Sequence, residues 1–335
     1  MRHTRIGRGL ACGLALWLAL LLPATAWAAS FEVIYADSAG EGFFDPSLGE
    51  ARREGFERAL DTWSAHLLDD VTLRVQASFD KMGGSSRGAT LGYAGPTYLM
   101  ANFAGAPQAD TWYVSSLADA LTGADLKPAQ PDFVVAFNSD IDGSVLGGID
   151  WYYGEQDAAG DDVDFQTVAM HELCHGLGFM SSFRSDGSWG YYGMPTIFDT
   201  FLVNADGQRL VDLPESMSNV TADTYFAGDS ALAAYEAAGG SGGVRIYAPS
   251  TWQSGSSLSH LDEATFRHQA GLMSPYYDEA VREIDGVVLG MLEDLGWQVY
   301  DPSAIPEPSA GVLLMGGMAV LAIRRRRSGR LFVAG

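Results

Sequence analysis

Residues 171–175 read His-Glu-Leu-Cys-His: two histidines four residues apart, with a glutamate directly after the first. On a helix this spacing projects both imidazoles from one face, within reach of a single metal ion. Glu172 then lies about 100° further around the axis, beside the metal rather than under it. From there its carboxylate can take a proton from a metal-activated water and pass it to a leaving amine, while the metal polarises the scissile carbonyl. That is the chemistry of a zinc-dependent peptidase. A purely structural zinc site would have no need of the glutamate.

A catalytic zinc needs a third protein ligand and an open fourth position. Glu215 and Glu236 are available, but neither falls in a convincing helical frame. His66 sits on an amphipathic helix and His268 only five residues before Met273, and both are expected to be structural. Cys174 points roughly 100° away from the face shared by His171 and His175, as a buried structural thiol would. His260 has better surroundings: Ser259-His260-Leu261-Asp262-Glu263 precedes Gly271-Leu272-Met273-Ser274-Pro275.

The elements that must position these groups can be read from periodicity. Residues 31–35 alternate like a strand. Between 48 and 68, Phe56, Ala59, Leu60, Trp63 and Leu67 recur at helical spacing. Val71, Leu73, Val75, Ala77 and Phe79 alternate as in a half-buried strand. Residues 81–110 are rich in Gly, Ser and Ala and give no clear pattern. A continuous apolar run predicts a strand at Phe133 to Phe137 before a polar turn at 138–143. Asp164 is a good N-cap for the helix carrying the histidines, and Gly176 and Gly178 should end it. Residues 198–203 and 209–211 flank Asn-Ala-Asp-Gly and read as a hairpin. Residues 216–243 read as irregular, and a last helix runs from about Ile284 to Leu295 before Gly296 and Trp297.

In this order of parts the chain resembles leishmanolysin-type metzincin proteases and related bacterial secreted enzymes. The residues concerned are His171 to Phe179 (HExxHxLGF), His260 after a long insertion, the Leu272-Met273-Ser274-Pro275 turn, and the helix closing in Asp294-Leu295-Gly296-Trp297. The likeness spans roughly residues 165–297. It implies an α/β metzincin-like fold, with a twisted mixed sheet, an active-site helix and a C-terminal helix. It also implies that His171, His175 and His260 bind one zinc, that Glu172 is the general base, and that Met273 forms the floor beneath the metal. Phe133 to Phe137 would be the sheet-edge strand to which an extended peptide adds. Tyr276 or Tyr277, after the turn, would either stabilise an oxyanion or pack. Compact metzincins place the third ligand six residues after the second histidine, where this chain has Ser181. Leu261 stands where an aromatic residue is usual and Cys174 where a small one is common. The disulfides of eukaryotic relatives and a long propeptide with a cysteine switch are absent.

The ends have a different character. Residues 1–29 carry a basic start, an apolar run from Leu10 to Leu22 and an Ala-rich close, the layout of a secretory signal peptide. Residues 301–335 hold Pro306-Glu307-Pro308, a short apolar stretch to Ile323 and four consecutive arginines. This tail resembles the PEP-CTERM sorting signal of Gram-negative bacteria. The likeness implies a transient membrane-anchoring helix, an exosortase-type sorting enzyme as partner, and delivery to the cell surface or matrix. The arginines fit the cytoplasmic side of a membrane. Residues 30–300 are then the metalloprotease domain.

Of 335 residues, 42 are acidic and 20 basic, and eight of the basic ones lie before residue 29 or after residue 308. The body thus keeps 12 basic residues against all 42 acids, a net charge of -30. Such a field excludes nucleic acid as a partner and leaves protein or peptide substrates. The acids at 140–142 and 161–164 are of the type that binds calcium, which makes Ca2+ a second candidate ion beside the zinc. With Cys12 in the leader, Cys174 has no disulfide partner. The expectation is an exported zinc metalloendopeptidase. The alternative is a noncatalytic, zinc-containing matrix or surface protein that keeps the protease fold.

Overall fold

The computed structural model describes residues 28–302, except 144, 156–159, 215–219, 222 and 267–270. The leader and the sorting tail expected from sequence lie outside the described residues but for a few positions at their inner ends. Glu215 and His268 also lie outside them. Among the described residues no helix is long and apolar enough to cross a membrane.

The chain is mixed α/β. The main sheet has four strands in the order β1 (Ser30–Tyr35), β2 (Thr72–Asp80), β6 (Phe133–Asn138) and β3 (Gly92–Pro96). The first three run parallel, and β3 is antiparallel to β6. Leu73, Val75, Ala77 and Phe79 of β2 are buried while their neighbours are half-exposed, as the alternation predicts.

Helix α1 (Gly49–Ser64) buries the stripe of Phe56, Ala59, Leu60 and Trp63. It packs directly on α3 (Phe165–Gly176): the Trp63 indole donates to Met170 O at 3.0 Å. The two helices approach at Gly55, where a Cβ would lie 2.8 Å from the Phe165 ring. An aromatic cluster of Phe43, Phe56, Phe79, Phe137 and Phe165 joins these helices to the sheet. The HExxH helix thus rests on a buried aromatic core shared by α1 and the main sheet.

Smaller elements complete the body: β4 (Leu99–Met100) with β5 (Tyr113–Val114), α2 (Ser115–Thr122), and β7 (Trp151–Tyr152) with β8 (Val163–Asp164). A second sheet has the order β11 (Val244–Ile246), β10 (Thr224–Phe226), β9 (Leu202–Asn204). It is followed by α5 (Glu263–Phe266) and by α6 (Gly286–Leu295), with Asp285 as N-cap and Gly296 at φ +124°.

Three expectations are corrected. Phe133 to Phe137 is not the edge: β6 lies between β2 and β3, and its near-continuous burial is that of a strand covered on both faces. The edge is β3, whose Gly-Tyr-Ala-Gly-Pro sequence has little β propensity and is permitted there because an edge tolerates proline. The hairpin around Asn204 closes a turn, since Asn204 Oδ1 accepts from Asp206 N and Gln208 N. Its returning arm makes one bridge, at Val203–Arg209, and then coils into a 3-10 turn, so β9 pairs with β10 instead. Residues 216–243 are not wholly irregular, because α4 (Asp229–Ala237) forms from their alanines. Asp294 of α6 supplies its N-terminus with acceptors for Ser230 N and Ala231 N.

Candidate metal centre

Helix α3 begins where the sequence places it. The Asp164 carboxylate accepts from Thr167 N at 2.8 Å and from Thr167 Oγ1 at 2.7 Å. This N-cap is itself fully buried and paired with Arg282, whose guanidinium also donates to Gly154 O. About two turns further on comes His171, and one turn later His175 leaves the same face of the helix.

The third histidine arrives from 89 residues downstream, carried by the second sheet. The segment 258–262 crosses the edge of β11 through a single antiparallel bridge, Ile246–Leu261: Tyr247 N donates to His260 O at 2.8 Å and Asp262 N to Arg245 O at 3.0 Å. Leu258, fully buried at φ +63°, turns the chain just before it. Such a conformation costs a non-glycine residue roughly 1–2 kcal/mol.

The three rings converge. Nε2 of His171 lies 3.1 Å from Nε2 of His175 and 3.2 Å from Nε2 of His260, and the His175–His260 separation is 3.3 Å. Each Nδ1 donates to a backbone carbonyl: His171 to Leu272 O at 2.6 Å, His175 to Phe179 O at 2.6 Å, His260 to Ser256 O at 2.9 Å. These bonds fix the tautomer with the proton on Nδ1 and leave an Nε2 lone pair on every ring pointing at the other two. Burial lowers the His171 pKa to about 4 and that of His175 to about 3, and holds His260 well below the usual value. All three rings are therefore neutral at neutral pH. Three lone pairs at these separations repel unless a cation lies among them. Tetrahedral zinc with bonds of 2.0–2.1 Å to nitrogen would set its ligand nitrogens about 3.3 Å apart. The residues present fit the ion.

Glu172 is buried beside this trio, and burial pushes its carboxyl up to about 8. Its place is made by the edge strand: a Cβ on Gly92 would stand 2.9 Å from Glu172 Oε1 and 2.9 Å from Ala136 O. The histidines and the glutamate line a cleft of about 950 Å³. One wall is the segment 91–94, with Val168 and Met180 nearby, and the other includes Tyr276 and Val281.

The remaining sequence expectations separate. Met273 is fully buried in a 3-10 turn, Gly271–Met273. The turn also has a backbone role that no motif signals. Leu272 O orients His171, and Met273 O accepts from Leu261 N at 2.9 Å, which ties the segment carrying His260 to it. Tyr277 packs, its hydroxyl accepting from Asp164 N at 3.0 Å, whereas Tyr276 is exposed at the cleft and bonded to Tyr247 and Gln253. Cys174 is buried and its thiol is pushed well up by burial. His66 lies in the turn just past the end of α1 rather than on the helix, and bonds back to Thr62 O. Ser181 is no ligand; it hydrogen-bonds to Asp199 and, through its amide, to Ser259.

Among the described residues the acids of 140–142 and 161–164 do not gather into a group of three. Asp142 is taken by Arg52 and Tyr153, and Asp164 by Thr167 and Arg282. Among the described residues the histidine trio is the one group of three such side chains placed to hold a metal ion.

No curated protein matches the chain. The sequence model of the SPBPB7E8-like family matches residues 53–220, from α1 through the HExxH helix and β9 but short of His260. That match covers half of the chain, which belongs to the SPBPB7E8-like family.

Proposed function

We propose that the protein is an exported zinc metalloendopeptidase with a leishmanolysin-like, metzincin type of fold. The observation that carries this reading is the convergence of three neutral Nε2 atoms beside a buried glutamate at the floor of an open cleft. His171, His175 and His260 would hold the zinc, which when bound supplies Lewis-acid polarisation of a carbonyl and acidifies water. Glu172 receives the proton of the attacking water on its carboxylate and delivers it to the departing amine nitrogen. In the metal-free chain burial keeps that carboxyl protonated at neutral pH, and a neighbouring dication draws its pKa down into the working range. β3 has β6 on one side and none of the sheet's strands on the other, so an extended substrate backbone can pair with it. The leader and tail motifs support export and surface delivery.

The test is zymography of the exported chain with and without a chelator, with Glu172→Ala alongside. Chelation and Glu172→Ala should each abolish cleavage, the variant keeping one zinc per chain. Undiminished casein cleavage by zinc-loaded Glu172→Ala would defeat the mechanism. Unchanged zinc affinity in His260→Ala would defeat the ligand set.

A further inference from the structure

The loop that leaves α3 is anchored from behind by a carboxylate with no part in the chemistry above. Asp199, in the 3-10 turn Phe198–Phe201, is fully buried. Its oxygens accept from Ser181 Oγ at 2.8 Å, Ser182 N at 3.0 Å, Thr196 N at 3.1 Å and Ser182 Oγ. These donors are two amides and two hydroxyls. A carboxylate held in the interior by neutral donors costs several kcal/mol in desolvation, only partly offset by its hydrogen bonds.

The loop so fixed, 179–183, touches two of the three histidines. Phe179 O is the acceptor that orients the His175 ring. Ser181 N donates to Ser259 Oγ at 3.1 Å, and Ser259, itself buried, directly precedes His260. A single buried group therefore stands behind a ligand from α3 and a ligand from the second sheet, elements that no secondary-structure pairing joins at this point. His171 is served separately, by Leu272 O.

Resting on the zinc reading above, we propose that Asp199 is a positioning residue of the metal centre. Through Ser181 and Ser259 it holds the His175 acceptor and the His260 segment in place, and so sets the affinity of the site for zinc. Outer partners of metal-bound histidines characteristically change metal affinity about 10–100-fold when removed.

The experiment measures zinc dissociation constants of the folded chain without substrate, by competition with a chromophoric chelator. Asp199→Asn leaves one amide oxygen as acceptor where there were two carboxylate oxygens and puts an NH2 donor in place of the other, and Ser259→Ala removes the acceptor of Ser181 N. Each is expected to weaken zinc about 10–100-fold, and Ser259→Thr, which keeps the hydroxyl, to bind within roughly threefold of wild type. Gly290→Ala, which crowds α4 against α6, should lower stability and leave zinc affinity unmoved. Ser259→Ala decides the matter if Asp199→Asn does not fold. Tight zinc in the wild type with an unchanged constant in folded Ser259→Ala overturns the role of Asp199 alone. A wild-type chain that takes up no zinc overturns the zinc reading with it.

Discussion

Gly92 makes room for Glu172. A single methyl group on the edge strand would come within 2.9 Å of the Glu172 carboxylate and equally close to the Ala136 carbonyl, which belongs to the neighbouring strand and cannot retreat. The Glu172 carboxylate therefore owes its position to a residue that has no side chain. Gly92→Ala should lower kcat about 100-fold, the scale of a 1 Å misplacement of a reacting group, while one zinc per chain is retained. Steady-state kinetics with metal analysis checks this, and a variant of wild-type kcat would show that the carboxylate moves freely.

The N-cap of α3 depends on a residue 118 positions away. Asp164 is completely buried, and Arg282, mostly buried itself, is its charge partner. Removing one member of such a pair strands the other, which costs about 3–5 kcal/mol. Arg282→Ala should show this loss in urea unfolding, and adding Asp164→Asn should recover part of it. Strict additivity of the two substitutions would mean that the pair is not coupled.

Helix α4 lies against α6 with backbone on backbone. A Cβ at Gly290 would meet Ala231 N and Cα at 2.8 Å. Overpacking of this kind costs typically 1–3 kcal/mol, so Gly290→Ala should be less stable although alanine is the better helix former. A thermal melt above that of the wild type would show that the helices separate at little cost.

A third site links stability to pH. Asp119 is buried on α2, its Oδ1 accepting from Leu126 N and its Oδ2 without a donor. Burial, with the nearby charge of Asp132 adding to it, raises its pKa to about 7. Because this lies above the value in the unfolded chain, about 3.9, the stability it contributes is fully present below about pH 4. It is lost as the pH rises through about 7. Asp119→Asn keeps the acceptor, adds a donor beside Asp132 and removes the titration. It should raise Tm at pH 8 by roughly 2–4 °C and leave it little changed at pH 4. Equal effects at both pH values would remove Asp119 as the source.

Periodicity, apolar runs and helix-end residues located β1, α1, β2, β6, α3 and α6, because each buries one face or both against a single neighbouring layer and its pattern records that burial. His171, Glu172 and His175 were legible for the same reason: one helix sets their spacing. What the sequence did not disclose is where separate elements meet. Nothing local in Gly92 to Pro96 marks an edge strand, and nothing in Leu272, Phe179 or Ser256 marks the carbonyls that orient the three rings. Nor does Asp199 differ in sequence from any other surface-type acid. The tertiary structure brings His260 to 3.2 Å from His171 across 89 residues. A helix fixes geometry over four residues through its own hydrogen bonds, whereas a contact between a helix and a distant loop is fixed only by the packing of everything between them.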